Sequence, residues 1–205
     1  MITLTKEERD SLGPKKAIQI LKEGNKRFIK NLKINRNLLE QVNNTSYGQH
    51  PFAIILSCID SRTSAELIFD QGLGDIFSCR IAGNIINDDI IGSMEFACKV
   101  AGVKLIMVLG HTGCGAIQGA CDKVEMGKLS GLLKKIDPAI KQEKTTISNR
   151  NSSNTQFVNN VAKIHVKLIA DNITQQSQII LDMVNNKQIV IVSGMYDVAT
   201  GVVNF

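Results

Sequence analysis

Two short polar clusters carry the residue types that do chemistry. They are Ser57-Cys58-Ile59-Asp60-Ser61-Arg62 and Gly110-His111-Thr112-Gly113-Cys114-Gly115. Two thiolates and one imidazole, from Cys58, His111 and Cys114, suit zinc in a tetrahedral site. Closed structural sites usually take four Cys/His ligands, whereas three protein ligands plus a water mark a catalytic site. The chain has no Cys-x-x-Cys pair, and His50 and His165 have no cysteine nearby in sequence. The set therefore reads as an open Cys2His site with a labile fourth position. Zinc there would lower the pKa of a bound water to about 7 and yield hydroxide near neutral pH. Asp60 and Arg62 stand two residues apart beside this set. An Arg fork holds a carboxylate bidentately, and Asp60 so held accepts a hydrogen bond from the bound water or hydroxide. Unpaired, Asp60 is itself a fourth oxygen ligand that closes the site. Both states are chemically reasonable.

Each cluster needs an element that delivers it. Phe52-Ala-Ile-Ile-Leu56 is a short apolar run that reads as a strand buried on both faces, and it leads into the first cluster. Residues 103–109 form a second such strand and lead into the other cluster. Ligands of open α/β sheets bind at the carboxyl ends of strands, so Cys58, His111 and Cys114 converge if these two strands are neighbours. Further strands are expected at 75–80, 188–192 and 202–205. Thr63-Ser-Ala-Glu66 has capping-box spacing and predicts a helix to about residue 72. Helices are also expected over 88–101, after Gly115, and over 157–185 as one long stretch. Residues 15–32 place Ile18, Leu21, Phe28, Ile29 and Leu32 at helical spacing after Gly13-Pro14. The expected architecture is α/β. A mainly parallel four-stranded sheet with an antiparallel edge strand is flanked by helices, with a helical arm over 1–50 and a core over 51–205.

Composition excludes several classes. The chain has 205 residues, 43% hydrophobic and 21% charged, enough to bury one core without disulfides. The net charge of +5 is uneven: residues 1–50 carry +5, while the stretch 51–110 carries −3. No long basic run with interleaved aromatics is present, so no nucleic-acid partner is expected. Apolar runs reach about five residues, far below the roughly 18 that cross a bilayer, so no membrane partner is expected either. The charged start, Lys6-Glu-Glu-Arg-Asp10, stands where a secretory apolar segment would be, and a cytoplasmic location is expected. Five cysteines, an odd number, fit thiols or a metal better than a disulfide framework. Cys79, Cys98 and Cys121 read as small buried apolar residues.

Cys58-x-Asp60-Ser61-Arg62, followed by His111-x-x-Cys114-Gly115, resembles the β-class carbonic anhydrases. The likeness extends to Gly24-Asn-Lys-Arg-Phe28, Ile68-Phe-Asp-Gln-Gly-Leu-Gly-Asp75, Arg80-Ile-Ala-Gly-Asn84, Gly92-Ser-Met-Glu-Phe-Ala97 and Tyr196-Asp-Val-Ala-Thr-Gly201. It implies reversible hydration of CO2 to bicarbonate and a proton, with one zinc ion per chain on Cys58, His111 and Cys114. It implies that Asp60, oriented by Arg62, accepts a hydrogen bond from the zinc-bound hydroxide, and that Asp60 can instead ligate zinc in an inactive form. It implies a substrate pocket completed across a dimer interface, using Gln49, Phe77, Ala82, Phe96 and Gly115. From pattern alone, Phe77 and Phe96 read equally as core residues and Gln49 as a turn residue. Ala82 is smaller than the valine of some members, and Phe96 lacks the hydroxyl of a tyrosine found in others. One subgroup traps inhibitory bicarbonate with a tryptophan at the position of Ile55, next to the arginine matched by Arg80. The chain has no tryptophan, so no such trap is expected. The resemblance also implies a homodimer or dimer of dimers through the N-terminal arm. Two other functions fit the same ligands: hydrolysis of carbonyl sulfide or carbon disulfide, and a non-catalytic zinc or thiol-sensing role. Retention of Asp60, Arg62 and Gln49 argues against the last.

Overall fold

The computed structural model describes residues 4–205; the first three residues of the expected arm lie outside that range. A five-stranded sheet runs in the order β2-β1-β3-β4-β5, with β1 Ala53–Ser57, β2 Ile76–Arg80, β3 Leu105–His111, β4 Val190–Tyr196 and β5 Val203–Asn204. The first four strands in that order pair in parallel and β5 pairs antiparallel, as expected. β1 and β3 are buried at every position, which explains their unbroken apolar runs. β2, at one edge, alternates between covered and open positions.

Side chains alternate across the sheet and build two layers. On one face Ile54, Leu56, Ile106 and Val108 pack against helices α5 (Asp88–Glu95), α9 (Thr155–Gln176) and α10 (Gln178–Asn185). On the other, Ala53, Ile55, Leu105, Met107 and Leu109 meet α2 (Pro14–Ile29) and α4 (Ala65–Ile68). Ala17 and Leu21 of α2 are fully buried there. Asn25, also on α2, donates to the carbonyls of Ile68 and Gly201 and accepts from the Val203 N–H. The middle of this helix is thus covered by the chain's own sheet, while Ile29 at its end and Leu32 beyond it are exposed. A third apolar cluster joins Cys58 and Cys114 to Ile117, Leu133, Ile136, Phe157 and Val161, beneath the carboxyl ends of β1 and β3.

Several expected elements differ in detail. Among the described residues four helices went unforeseen: α1 (Lys6–Ser11), α3 (Leu38–Thr45), α7 (Gly127–Lys134) and α8 (Asp137–Gln142). The first is closed by a Thr5/Glu8 capping box and the second by the Asn37 side chain. The helix expected from Thr63 to about 72 is one turn, Ala65–Ile68, and Thr63 does not cap it. Its hydroxyl donates instead to the carbonyls of Cys58 and Asp60, and Asp70 ends the turn with φ +47. Arg27 and Arg36 both bind the buried Asp70 carboxylate, tying the arm to the core. The helix over 88–101 widens into a π turn at Phe96–Val100. The single helix over 157–185 is two helices, because Ser177 is extended. Its hydroxyl donates to Glu95 and accepts from the Ile180 N–H, a long-range bond that local sequence does not announce. The helix expected after Gly115 is α6 (Gly115–Cys121).

Candidate metal centre and active site

Adjacent parallel strands bring the two polar clusters together. β1 and β3 pair with Ser57 beside Leu109, so Cys58 leaves β1 where His111 closes β3. The ligand atoms of Cys58, His111 and Cys114 lie within 4.8 Å of one another, and all three residues are buried. The two sulfurs are 3.9 Å apart. Sulfurs 2.3 Å from a tetrahedral zinc would lie about 3.8 Å apart, so the spacing fits that ion.

His111 is prepared as a ligand. Its Nδ1 lies 3.0 Å from the Thr112 carbonyl, which only accepts, so Nδ1 carries the proton and Nε2 keeps a lone pair. That Nε2 is buried without a hydrogen-bond partner. A buried, unpartnered nitrogen between two thiols is what a metal would satisfy. The two thiols are in hydrogen-bonding contact. Contact with Cys114 and the backbone N–H groups of Asp60 and Gly83 lower the Cys58 pKa against the cost of burial. The Cys114 thiol is pushed up by that same contact and by burial, while the N–H groups of Ile117 and Ala116 pull it back. A cation would release the thiol protons.

Asp60 and Arg62 are paired in the structure. Arg62 holds the Asp60 carboxylate with Nε at 2.9 Å and Nη2 at 2.7 Å, and its backbone N–H adds a third bond at 3.0 Å. This clasp holds the carboxyl well below the usual carboxylate range, despite partial desolvation. Asp60 Oδ2 is 3.9 Å from His111 Nε2, near the ligand set but outside it. Arg80 fastens the same loop from β2, donating to the carbonyls of Cys58 at 3.0 Å and Asp60 at 2.6 Å. Sequence offered Arg80 only as part of an inhibitory pocket.

The substrate-pocket residues separate into two groups. Ala82 and Gly115 sit at the metal end: Ala82 precedes Gly83, whose N–H lies 3.4 Å from Cys58 Sγ, and Gly115 opens α6 after Cys114. Gln49, Phe77 and Phe96 do not join them in this chain. Gln49 is exposed and precedes the opposite end of β1, a strand about 16 Å long at the usual rise. Phe77 pairs with Ile54, three residues back from the ligand end. Its ring stands 6.4 Å from that of Phe96, and both line an open groove of about 630 Å³ with Cys79, Asp88 and Asp89. Of the other thiols, Cys98 and Cys121 are buried and Cys79 is half-buried. Burial raises all three, Cys98 to about 12 and Cys121 to about 11, so they are protonated and inert near neutral pH.

Several site residues had escaped sequence reasoning. Thr112 accepts from the Val198 N–H through its hydroxyl, and Asn159 of α9 accepts from the Gly113 N–H, shaping the turn between two ligands. Gly113 itself has φ +65, a conformation that suits glycine, and its place between His111 and Cys114 was the available signal. His165 and Asn159 lie on a helix remote in sequence and gave none.

The sequence model described as carbonic anhydrase matches residues 53–203. Carbonic anhydrase 2 of Mycobacterium tuberculosis is 44% identical over 119 residues, 58% of each chain. The carbonic anhydrase of Mycolicibacterium smegmatis is 39% identical over 125 residues, 60% of this chain and 61% of that one. The matched segment thus spans about three-fifths of these relatives' length. A crystal structure of a β-carbonic anhydrase from the fungal pathogen Aspergillus fumigatus superposes with a TM-score of 0.72 at 28% identity, covering 81% of this chain and 80% of that one. With the sheet, the buried Cys-His-Cys set and the family match in agreement, the chain belongs to the β-class carbonic anhydrases.

Proposed function

We propose that this chain catalyses the reversible hydration of CO2 to bicarbonate and a proton. The observation that carries the reading is the buried Cys58–His111–Cys114 donor set with a clasped Asp60 beside it. Cys58, His111 and Cys114 would hold one zinc ion, which in a three-ligand protein site supplies hydroxide near neutral pH. Asp60, ionised and held by Arg62, accepts a hydrogen bond from the nucleophile and orients its lone pair toward substrate. Arg80 and Thr63 hold the backbone of that loop, so the carboxylate has a fixed position to act from. Ala82 and Gly115, in this reading, form the near rim of the substrate site.

The wall residues Gln49, Phe77 and Phe96 act, in this reading, from one copy of the chain toward the site of another. α3 supports such a dimer: Leu38, Leu39 and Val42 are at least half exposed on it, as are Phe96 and Val100 beside the groove. A dimer, or a dimer of dimers, covers these side chains, and the arm contributes through α3. Five unpaired thiols fit a reducing, cytoplasmic compartment. Among the described residues no helix is long and apolar enough to cross a membrane.

The test is stopped-flow CO2 hydration on purified protein with metal analysis. One zinc per chain and a rate that rises with pH through neutrality are expected. One zinc per chain with no rate above background indicates the non-catalytic reading, and a parallel carbonyl sulfide assay separates the alternative substrates. We also propose that bicarbonate does not shut the enzyme off cooperatively. Ile55 is buried within the sheet, and Arg80 is occupied by two loop carbonyls. Rates at rising bicarbonate should show product inhibition only; a steep cooperative loss contradicts this.

A further inference from the structure

His165 is a buried histidine that the reaction above does not use. It lies on α9, 82 residues along the chain from its hydrogen-bond partner, the carbonyl of Gly83, at 2.9 Å from Nε2. A carbonyl only accepts, so Nε2 carries the proton. Burial pushes the imidazole pKa down, leaving a neutral donor. Gly83 in turn donates its own N–H to Cys58 Sγ at 3.4 Å. The two bonds meet on one residue, and only the φ and ψ of that glycine lie between them.

Gly83 has φ 65 and ψ 15, in the left-handed region. A Cβ there would stand 3.2 Å from Ala116 Cβ and 3.2 Å from Ile136 Cδ1. The turn is therefore closely packed as well as left-handed, and both conditions select glycine. Glycine, however, has more backbone freedom than any other residue and needs an outside hold to keep one orientation. His165 supplies that hold. The other two ligands have comparable partners: Thr112 orients His111, and the N–H groups at the start of α6 face Cys114. Partners of this kind fix ligand orientation and tune ligand charge, and their loss weakens metal binding.

We propose that His165 is a positioning residue for the Cys58 thiolate, acting through Gly83 to aim its N–H at Sγ. The N–H draws charge from the sulfur and so sets how strongly that thiolate donates to a metal. This rests on the zinc reading of the Cys58–His111–Cys114 set.

The test uses the full chain, stripped of metal and reloaded with cobalt(II) or with zinc against a competing chelator. The variants are His165→Leu, which removes the donor, and His165→Gln, whose side-chain amide can still donate. The leucine variant is expected to shift the thiolate-to-cobalt charge-transfer band and weaken zinc about tenfold, with the glutamine variant within about twofold of wild type. Should leucine not fold there, His165→Met, unbranched and without a donor, is read the same way. Wild-type band and affinity in the donorless variant overturn the proposal. Equal losses in the glutamine and donorless variants, matched by equal drops in apoprotein Tm, overturn it too, since they mark packing alone. Absence of a thiolate band in wild type removes the metal reading itself, and the relay with it.

Discussion

The two ends of β1 differ in how complete they are. At the carboxyl end, every feature of the metal centre is built within one chain. Adjacent parallel strands deliver the ligands, Arg62 clasps Asp60, Arg80 and Thr63 fasten the loop, and α9 reaches in through Asn159. At the amino end, Gln49 is exposed beside the arm, and the Phe77–Phe96 groove lies open along the sheet edge. The chemistry end is closed by hydrogen bonds inside the chain. The other end presents apolar surface that a second chain is suited to cover. The candidate ligand set is therefore assembled within the single chain, whereas completing the substrate wall is proposed as a property of the pair.

The largest expected effect strikes the closed end. Cys114→Ser should lose zinc and CO2 hydration together, with metal affinity down by at least about a hundredfold. Zinc retained at one per chain would show that Cys114 is not a ligand. Asp60→Asn should divide the two properties, cutting turnover by about 10² to 10³ while zinc stays near one per chain. The pH profile sharpens this. Arg62 depresses the folded pKa of Asp60, so the stability from that pair is present above the ordinary carboxylate pKa of about 3.9 and is lost as pH falls through the lower folded value. Asp60 is thus ionised throughout pH 5 to 9, and a rise near neutrality belongs to the nucleophile. The asparagine variant should keep a rising profile at a lower plateau; a profile made flat would reassign the titration to Asp60.

The open end should respond differently. Leu39→Lys with Val42→Lys charges the exposed face of α3 and should shift sedimentation toward the monomer. Activity should fall in parallel, while zinc content is unchanged. A fully active monomer would refute the division drawn between the two ends. The smallest effect on chemistry comes from α2, which packs on its own sheet. Leu21→Ala should cost about 2–5 kcal/mol of stability in denaturant unfolding, with the remaining folded protein still binding zinc. A stability loss that depends on protein concentration would instead place this helix against a neighbour.

Much of this was legible in the linear chain because the signals are local. The apolar runs 52–56 and 103–109 announce buried strands, and each is followed at once by its ligands, so Cys58, His111 and Cys114 could be named together. Asp60 and Arg62 were nameable for the same reason, their chemistry being two residues apart. Boundaries failed where a distant partner intervened. Ser177 breaks the long helix by bonding Glu95, and Thr63 abandons its capping position for the carbonyls of Cys58 and Asp60.

Residue chemistry and spacing were enough to specify a sheet carrying a Cys-His-Cys donor set at its strand ends, since strand periodicity and ligand preference act over a few residues. That Asp60 pairs with Arg62, what covers Leu21 of α2, and which side chains stand behind each ligand depended on packing. Those outcomes rest largely on contacts between segments tens of residues apart: α2 on the sheet, Arg80 on the Cys58–Asp60 loop, His165 on Gly83. Such contacts form only when the groups share one volume, and no local pattern records them.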